Sequence, residues 1–161
     1  MIKRLTAVFA VLIIVVLTAC KANENAPMVS MYDLRVEMLS ADGAMPKMLS
    51  VSSADNQAKE LFTYLSDFDY EKVEGYFLSY ADDGMAFEIA VVCLKDGSDM
   101  PALKKSLEEH VHKRVELYKT YAPDQVPLAE ETLITSSGRY AAFIMCRDQN
   151  SVRAAFEKGV N

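Results

Sequence analysis

MPALKKSLEEHVHKRVELYKTY, residues Met100–Tyr121, is the stretch from which the fold is read. At about 100° of turn per residue, Leu103, Leu107, Val111 and Tyr118 fall into one apolar stripe, so the stretch reads as an amphipathic helix. Asp99 stands where an N-cap belongs. Pro101 is tolerated in a first turn, where its missing N–H has no helical partner. Such a helix is about 33 Å long at 1.5 Å per residue, enough to run the length of a strand and return the chain to the end where that strand began.

Two strands precede it. Val73–Tyr80 is rich in aromatic and β-branched residues, and Asp82-Asp83-Gly84 is a turn signal. Met85–Leu94 is the second strand, with Phe87, Ile89, Val91 and Cys93 on one face; the two pair as a hairpin. Asp96-Gly97 leads into the helix, and Pro123 and Pro127 bracket a short connection after it. A third strand is read over Thr132–Thr135, a tight turn at Ser136-Ser137-Gly138 and a fourth strand over Arg139–Cys146. Ser151–Lys158 closes the chain as a helix with Val152, Ala155 and Phe156 inward. Upstream, Ser30 caps a helix over Met31–Ser40. Ala41–Ser53, with Gly43 and Pro46, reads as loop or extended chain, and Ala54–Leu65 as a short helix. The expected fold class is α+β: a four-stranded, mainly antiparallel sheet in a ββαββα core, packed with helices and preceded by N-terminal helices.

This order makes a prediction about the cysteines. If the long helix is a return crossover, the third strand runs parallel to the second and the fourth runs against it. Cys93 and Cys146 then lie at opposite ends of the sheet, about 20 Å apart, whereas a disulfide needs Cα atoms within about 7 Å. Both are expected to be buried free thiols. With Cys20 they make up the three cysteines, and no C-x-x-C or Cys/His spacing suits zinc or an iron–sulfur cluster.

The chain begins with a basic Met1–Arg4 and an apolar run, Leu5–Leu17, of about 13 residues, short for a membrane span and suited to a signal-peptide core. Leu17-Thr18-Ala19-Cys20 follows. These four residues resemble the lipobox of bacterial lipoprotein precursors: Leu, a small residue, Gly or Ala, then the modified Cys. The resemblance implies a diacylglyceryl group on the Cys20 thiol, cleavage before Cys20 and a domain held at the extracytoplasmic face of the cell membrane. Residues 1–19 are then the signal peptide, 20–27 a polar tether and 28–161 a single α+β domain. The formal charge is −6; without Lys3 and Arg4, 15 basic side chains face 23 acidic ones, or −8. That sign argues against nucleic acid, which needs a positive surface, and against adsorption to anionic lipid by charge alone.

A second resemblance covers Asp69 to Phe156. The Ala90–Lys95 strand running into Asp96-Gly97 and a charged helix, the block Tyr121-Ala122-Pro123-Asp124-Gln125, and Gly138-Arg139-Tyr140 before a last apolar strand are similar to a domain-of-unknown-function family of bacterial lipoproteins. That resemblance implies an anchored extracytoplasmic α+β domain and no activity.

Candidate sites are sparse. In Glu108-Glu109-His110-Val111-His112 the two histidines stand about 200° apart around a helix and cannot share a metal ion. His110 flanks the apolar stripe, and His112 lies on the wet face, within i,i+4 reach of Glu108. Asp67, Asp69, Glu71, Asp82, Asp83, Asp96 and Asp99 cluster near strand ends, but none has the spacing of a calcium loop, and turn or capping roles suit most of them. There is no G-x-S-x-G and no Gly-rich phosphate loop. Tyr121, Asp124 and Gln125 are the candidate ligand or partner contacts, set beside a plainer role in stopping the helix. No metal or cofactor is expected. The expected function is a non-catalytic, membrane-anchored domain that binds a ligand or partner; the alternative is a carboxylate-dependent cell-envelope hydrolase.

Overall fold

The computed structural model describes residues 27–161. The signal peptide, Cys20 and all of the tether but Pro27 lie outside the described residues. The chain is α+β: helix α1 (Met31–Ala41), strand β1 (Met48–Ser52), a short helix α2 (Ala58–Phe62), strands β2 (Val73–Ala81) and β3 (Glu88–Leu94), the long helix α3 (Met100–Tyr121), a short helix α4 (Val126–Glu130), strands β4 (Leu133–Ser137) and β5 (Tyr140–Met145), and helix α5 (Gln149–Val160).

The sheet has five strands, not four, in the order β1-β2-β3-β5-β4, and every neighbouring pair is antiparallel. The extra strand is β1, inside the stretch read as loop. Pro46 and Gly43 disguise it, yet Ser50 pairs with Ser79 and Val51 with Leu78. The helix expected over Ala54–Leu65 shrinks to α2, because Asp55 is spent on a turn: its carboxylate accepts the N–H of Ser52. Asp99 does not cap α3 with its side chain; it pairs with Lys72, while Asp96 accepts the Ser98 N–H in the turn before. The connection after α3 is itself helical, with Pro127 in the first turn of α4, where proline costs no hydrogen bond.

The crossover behaves as expected. β5 pairs antiparallel with both β3 and β4, so β4 runs in the direction of β3. Cys93 lies opposite Tyr140, and Cys146 follows Met145, which lies opposite Glu88 at the other end. Both cysteines are free and buried.

Helices cover both faces, which is why β3 and β5 are buried along their whole length. On one face α3 lays Leu103, Leu107 and Tyr118 over Tyr76, Leu78, Ala90, Val92 and Phe143. On the other, α1 and α5 lay Leu34, Met38, Val152 and Phe156 over Phe77, Ile89, Val91 and Ile144. No helix among the described residues is long and apolar enough to cross a membrane.

Candidate functional site

β3 begins with a charge in a place built for apolar side chains. Glu88 sits on the α3 face of the sheet, opposite Tyr80 and Met145, with a side chain only 4% exposed. A buried carboxylate must be paired or it will not stay ionised. Helix α3 supplies the partners one turn apart. His110 Nε2 is 2.6 Å from Glu88 Oε1, and Arg114 Nε is 3.2 Å from Oε2. Their i,i+4 spacing puts both on the inward stripe. His110, expected at the edge of that stripe, is inside it and buried, with its ring edge-on to Phe143 at 5.3 Å between centroids.

Arg114 is not fully satisfied. Its Nε is buried and near Glu88 but lacks hydrogen-bond alignment, while Nη2 donates to Tyr118 Oη at 2.7 Å. The guanidinium also lies 5.1 Å from the centre of the Tyr118 ring. Burial pushes the Tyr118 phenol up to about 12, with Arg114 acting against the rise, so it is a neutral acceptor for the guanidinium at ordinary pH.

The cluster borders a cavity of about 250 Å³ lined by Tyr64, Leu78, Tyr80, Glu88 and Arg114. Tyr64 is largely exposed at its mouth. An apolar wall of Leu78, two phenols and one fixed acid–base pair is the composition of a small-ligand seat: shape from the apolar part, orientation from a few polar atoms. One carboxylate and one imidazole do not make a metal site, and no group of three or more His, Cys, Asp or Glu suited to a metal ion occurs among the described residues.

The sequence-predicted residues lie elsewhere. Tyr121, Asp124 and Gln125 meet at one corner, where they fasten the end of α3 to the β2–β3 turn. Tyr121 Oη donates to the Gly84 carbonyl at 2.8 Å, Gln125 Oε1 accepts the Ala86 N–H at 3.2 Å, and Gln125 Nε2 donates to Asp124 at 2.7 Å. The Tyr121 ring stays 53% exposed. The seven carboxylates are dispersed. Asp67 pairs with Lys113, Glu71 with Lys59, Asp82 with Lys47 and Asp99 with Lys72. Asp69, Asp83 and Asp96 accept the backbone N–H groups of Glu71, Met85 and Ser98. His112 and Glu108 are exposed on the outer part of α3. Glu88 and Arg114 were missed by sequence reasoning. The available signal was a lone acid at the head of the apolar run Glu88–Leu94, and an arginine one turn beyond a histidine on the inward stripe.

Residues 47–146 match the family described as a domain of unknown function, DUF4358. The chain belongs to that family. The DUF4358 match spans all five strands and α3, and therefore the whole Glu88–His110–Arg114 cluster, while α1 and α5 fall outside it. No curated protein and no solved structure matches the chain.

Proposed function

We propose that this DUF4358 protein is an extracytoplasmic lipoprotein, anchored through a diacylglyceryl group on Cys20, whose domain binds a small ligand without turning it over. The cavity beside Glu88 and Arg114 is the seat, and the Tyr121–Asp124–Gln125 corner, with its half-exposed ring, is a contact for a protein partner. The observation that carries the reading is the disposition of the acids. Hydrolysis by paired carboxylates needs two of them facing one substrate bond. Here the surface carboxylates are engaged separately in ion pairs and turns, and the two buried ones lie apart, Asp42 accepting three backbone N–H groups and Glu88 tied to His110 and Arg114. That favours holding a ligand over attacking one. The −8 charge after cleavage and the Leu17–Cys20 box support a place outside the cytoplasm and away from nucleic acid.

The test places a photo-crosslinking amino acid at Tyr64, at the cavity mouth, and separately at Lys158, exposed on α5. Irradiated native membranes should yield a discrete adduct from position 64 alone. Equal labelling from both positions would sink the cavity assignment. Metabolic labelling with a palmitate analogue tests the anchor: Cys20→Ala should carry no label, and an equally labelled variant would refute it.

A further inference from the structure

The geometry points to a second binding surface, the outer edge of β4, built to receive an extended peptide carrying a basic and an apolar residue two positions apart. The hydrogen-bond phase of the sheet sets which backbone groups of β4 face outward. β4 and β5 are joined by a two-residue turn, Gly138-Arg139, with Gly138 at φ 54°, and Ser137 faces Tyr140 across it. The pair that closes a two-residue hairpin exchanges its backbone bonds, and pairs alternate from there. Ser137, Thr135 and Leu133 therefore bond inward to β5, and the N–H and C=O groups of Ser136 and Ile134 point outward. The same phase follows from the far side of β5, where the Leu94 N–H donates to the Arg139 carbonyl. No helix or loop among the described residues takes up the outward groups of Ile134 and Ser136.

The other edge is closed at one end. On β1 the outward N–H and C=O of Ser52 are taken by Asp55, and α2 lies beside the strand. β4 carries no proline, no charge and no bulge, the devices that normally keep an edge from pairing. Only another extended backbone matches a row of outward donors and acceptors at strand spacing.

Side chains on the α3 face say which peptide. Ile134 lies opposite Phe143 and packs with the α3-side core. A residue paired with Ile134 points to that same face, into a cavity of about 400 Å³ lined by Glu108, Val111, His112, Thr132, Leu133 and Ile134. Val111 and Ile134 suit an apolar side chain there. Because α3 runs against β4, Glu108 lies at the end of this cavity nearer Ser136 and His112 at the end nearer Thr132. The residue opposite Ser136 therefore meets an exposed carboxylate, which selects lysine or arginine. The β4 residues of a second copy carry no charge with which to meet Glu108. This surface is on the far side of α3's inward stripe from the Glu88 cavity and does not depend on it.

The probe is a short fluorescent threonine-rich peptide with lysine and valine two positions apart, titrated by anisotropy into the full chain in detergent. It should bind, and exchanging its lysine for glutamate should weaken binding about tenfold or more. Glu108→Lys should reverse that preference. N-methylating one alternate set of peptide amides should abolish binding, and N-methylating the other set should leave it, as a paired strand requires. Ser136→Pro removes an outward N–H without touching the β4–β5 ladder and should also abolish it. Equal effects of the two N-methyl sets, or no binding by the parent peptide, would overturn the proposal. So would self-association of the chain that Ser136→Pro dissolves, since the occupant would then be a second copy.

Discussion

At the scale of single residues the decisive group is Glu88. It pairs with Arg114 and His110 where solvent reaches only part of the guanidinium, and its removal leaves a partly buried cation without that partner. Breaking such a pair from one side costs about 3–5 kcal/mol, whereas replacing all partners with apolar groups is close to neutral. Glu88→Gln is therefore expected to lower unfolding stability by about 3 kcal/mol or more. Adding Arg114→Met to that variant should recover part of the loss. Urea denaturation of the two single variants and the double variant closes the cycle, and strictly additive losses would show that the two side chains are not coupled. The cluster was only half legible in the sequence. His110 was visible only as a residue flanking the apolar stripe of α3, not as a partner of a buried acid. Glu88 was not, because alternation assigns a strand residue to a face without saying whether an acid there is wet or buried, and burial of β3 on both faces is a property of the assembled layers.

At the scale of elements, the structure is held by side chains that cross between segments far apart in sequence. Asp42, just past α1, is 4% exposed and accepts three backbone N–H groups: Ala44 at 2.8 Å, and Arg147 and Asp148 at 3.0 Å each. It thereby joins the end of α1 to the turn that launches α5. Burial alone would raise its pKa, but the N–H groups of Asp148, Ala44 and Arg147 outweigh it and hold the carboxyl below its usual range. A carboxyl with a depressed folded pKa stabilises the native state at neutral pH. That contribution fades as pH falls below the unfolded value near 3.8 and through the folded one. Asp42→Asn should cost about 2–3 kcal/mol at pH 7, in line with hydrogen bonds to a charged acceptor. The gap to the parent chain should narrow as the pH is taken below about 4, measured by chemical denaturation across the range; a gap constant with pH would refute the assignment. The long-range part of this role had no sequence signature, since Arg147 and Asp148 lie more than a hundred residues from Asp42. Elements with internal periodicity were legible to the residue, as α3 was, and β1 was not. Five residues of mixed exposure behind a proline carry too short a pattern to separate an edge strand from a loop.

At the scale of the whole molecule, the three layers are expected to fold as one unit that is larger than the matched DUF4358 segment. Residues 47–146 contain the sheet and the α3 side of it, and leave out α1 and α5. Those two helices pack on each other and on the opposite face, covering Phe77, Ile89, Val91, Cys93, Ala142 and Ile144. In the complete chain each of these is at most 1% exposed. Stripping both helices would turn them into a continuous apolar face across the three central strands, a patch of the kind that soluble monomers rarely expose. At about 25 cal/mol per Å² of apolar surface, exposing a few hundred Å² costs on the order of 10 kcal/mol, comparable with the roughly 5–15 kcal/mol by which domains are stable. A fragment of residues 47–146 is therefore expected to aggregate or to bind a hydrophobic dye strongly, with no cooperative thermal transition. Residues 27–161 should give a single transition and little dye binding under the same conditions. Adding back α5 alone should not rescue the fragment, because α1 supplies Leu34 and Met38 to the same cluster and Asp42 to the α5 turn. A cooperatively folded, dye-silent 47–146 fragment would show that the sheet and α3 are self-sufficient and that the second helical layer is an addition to a complete domain.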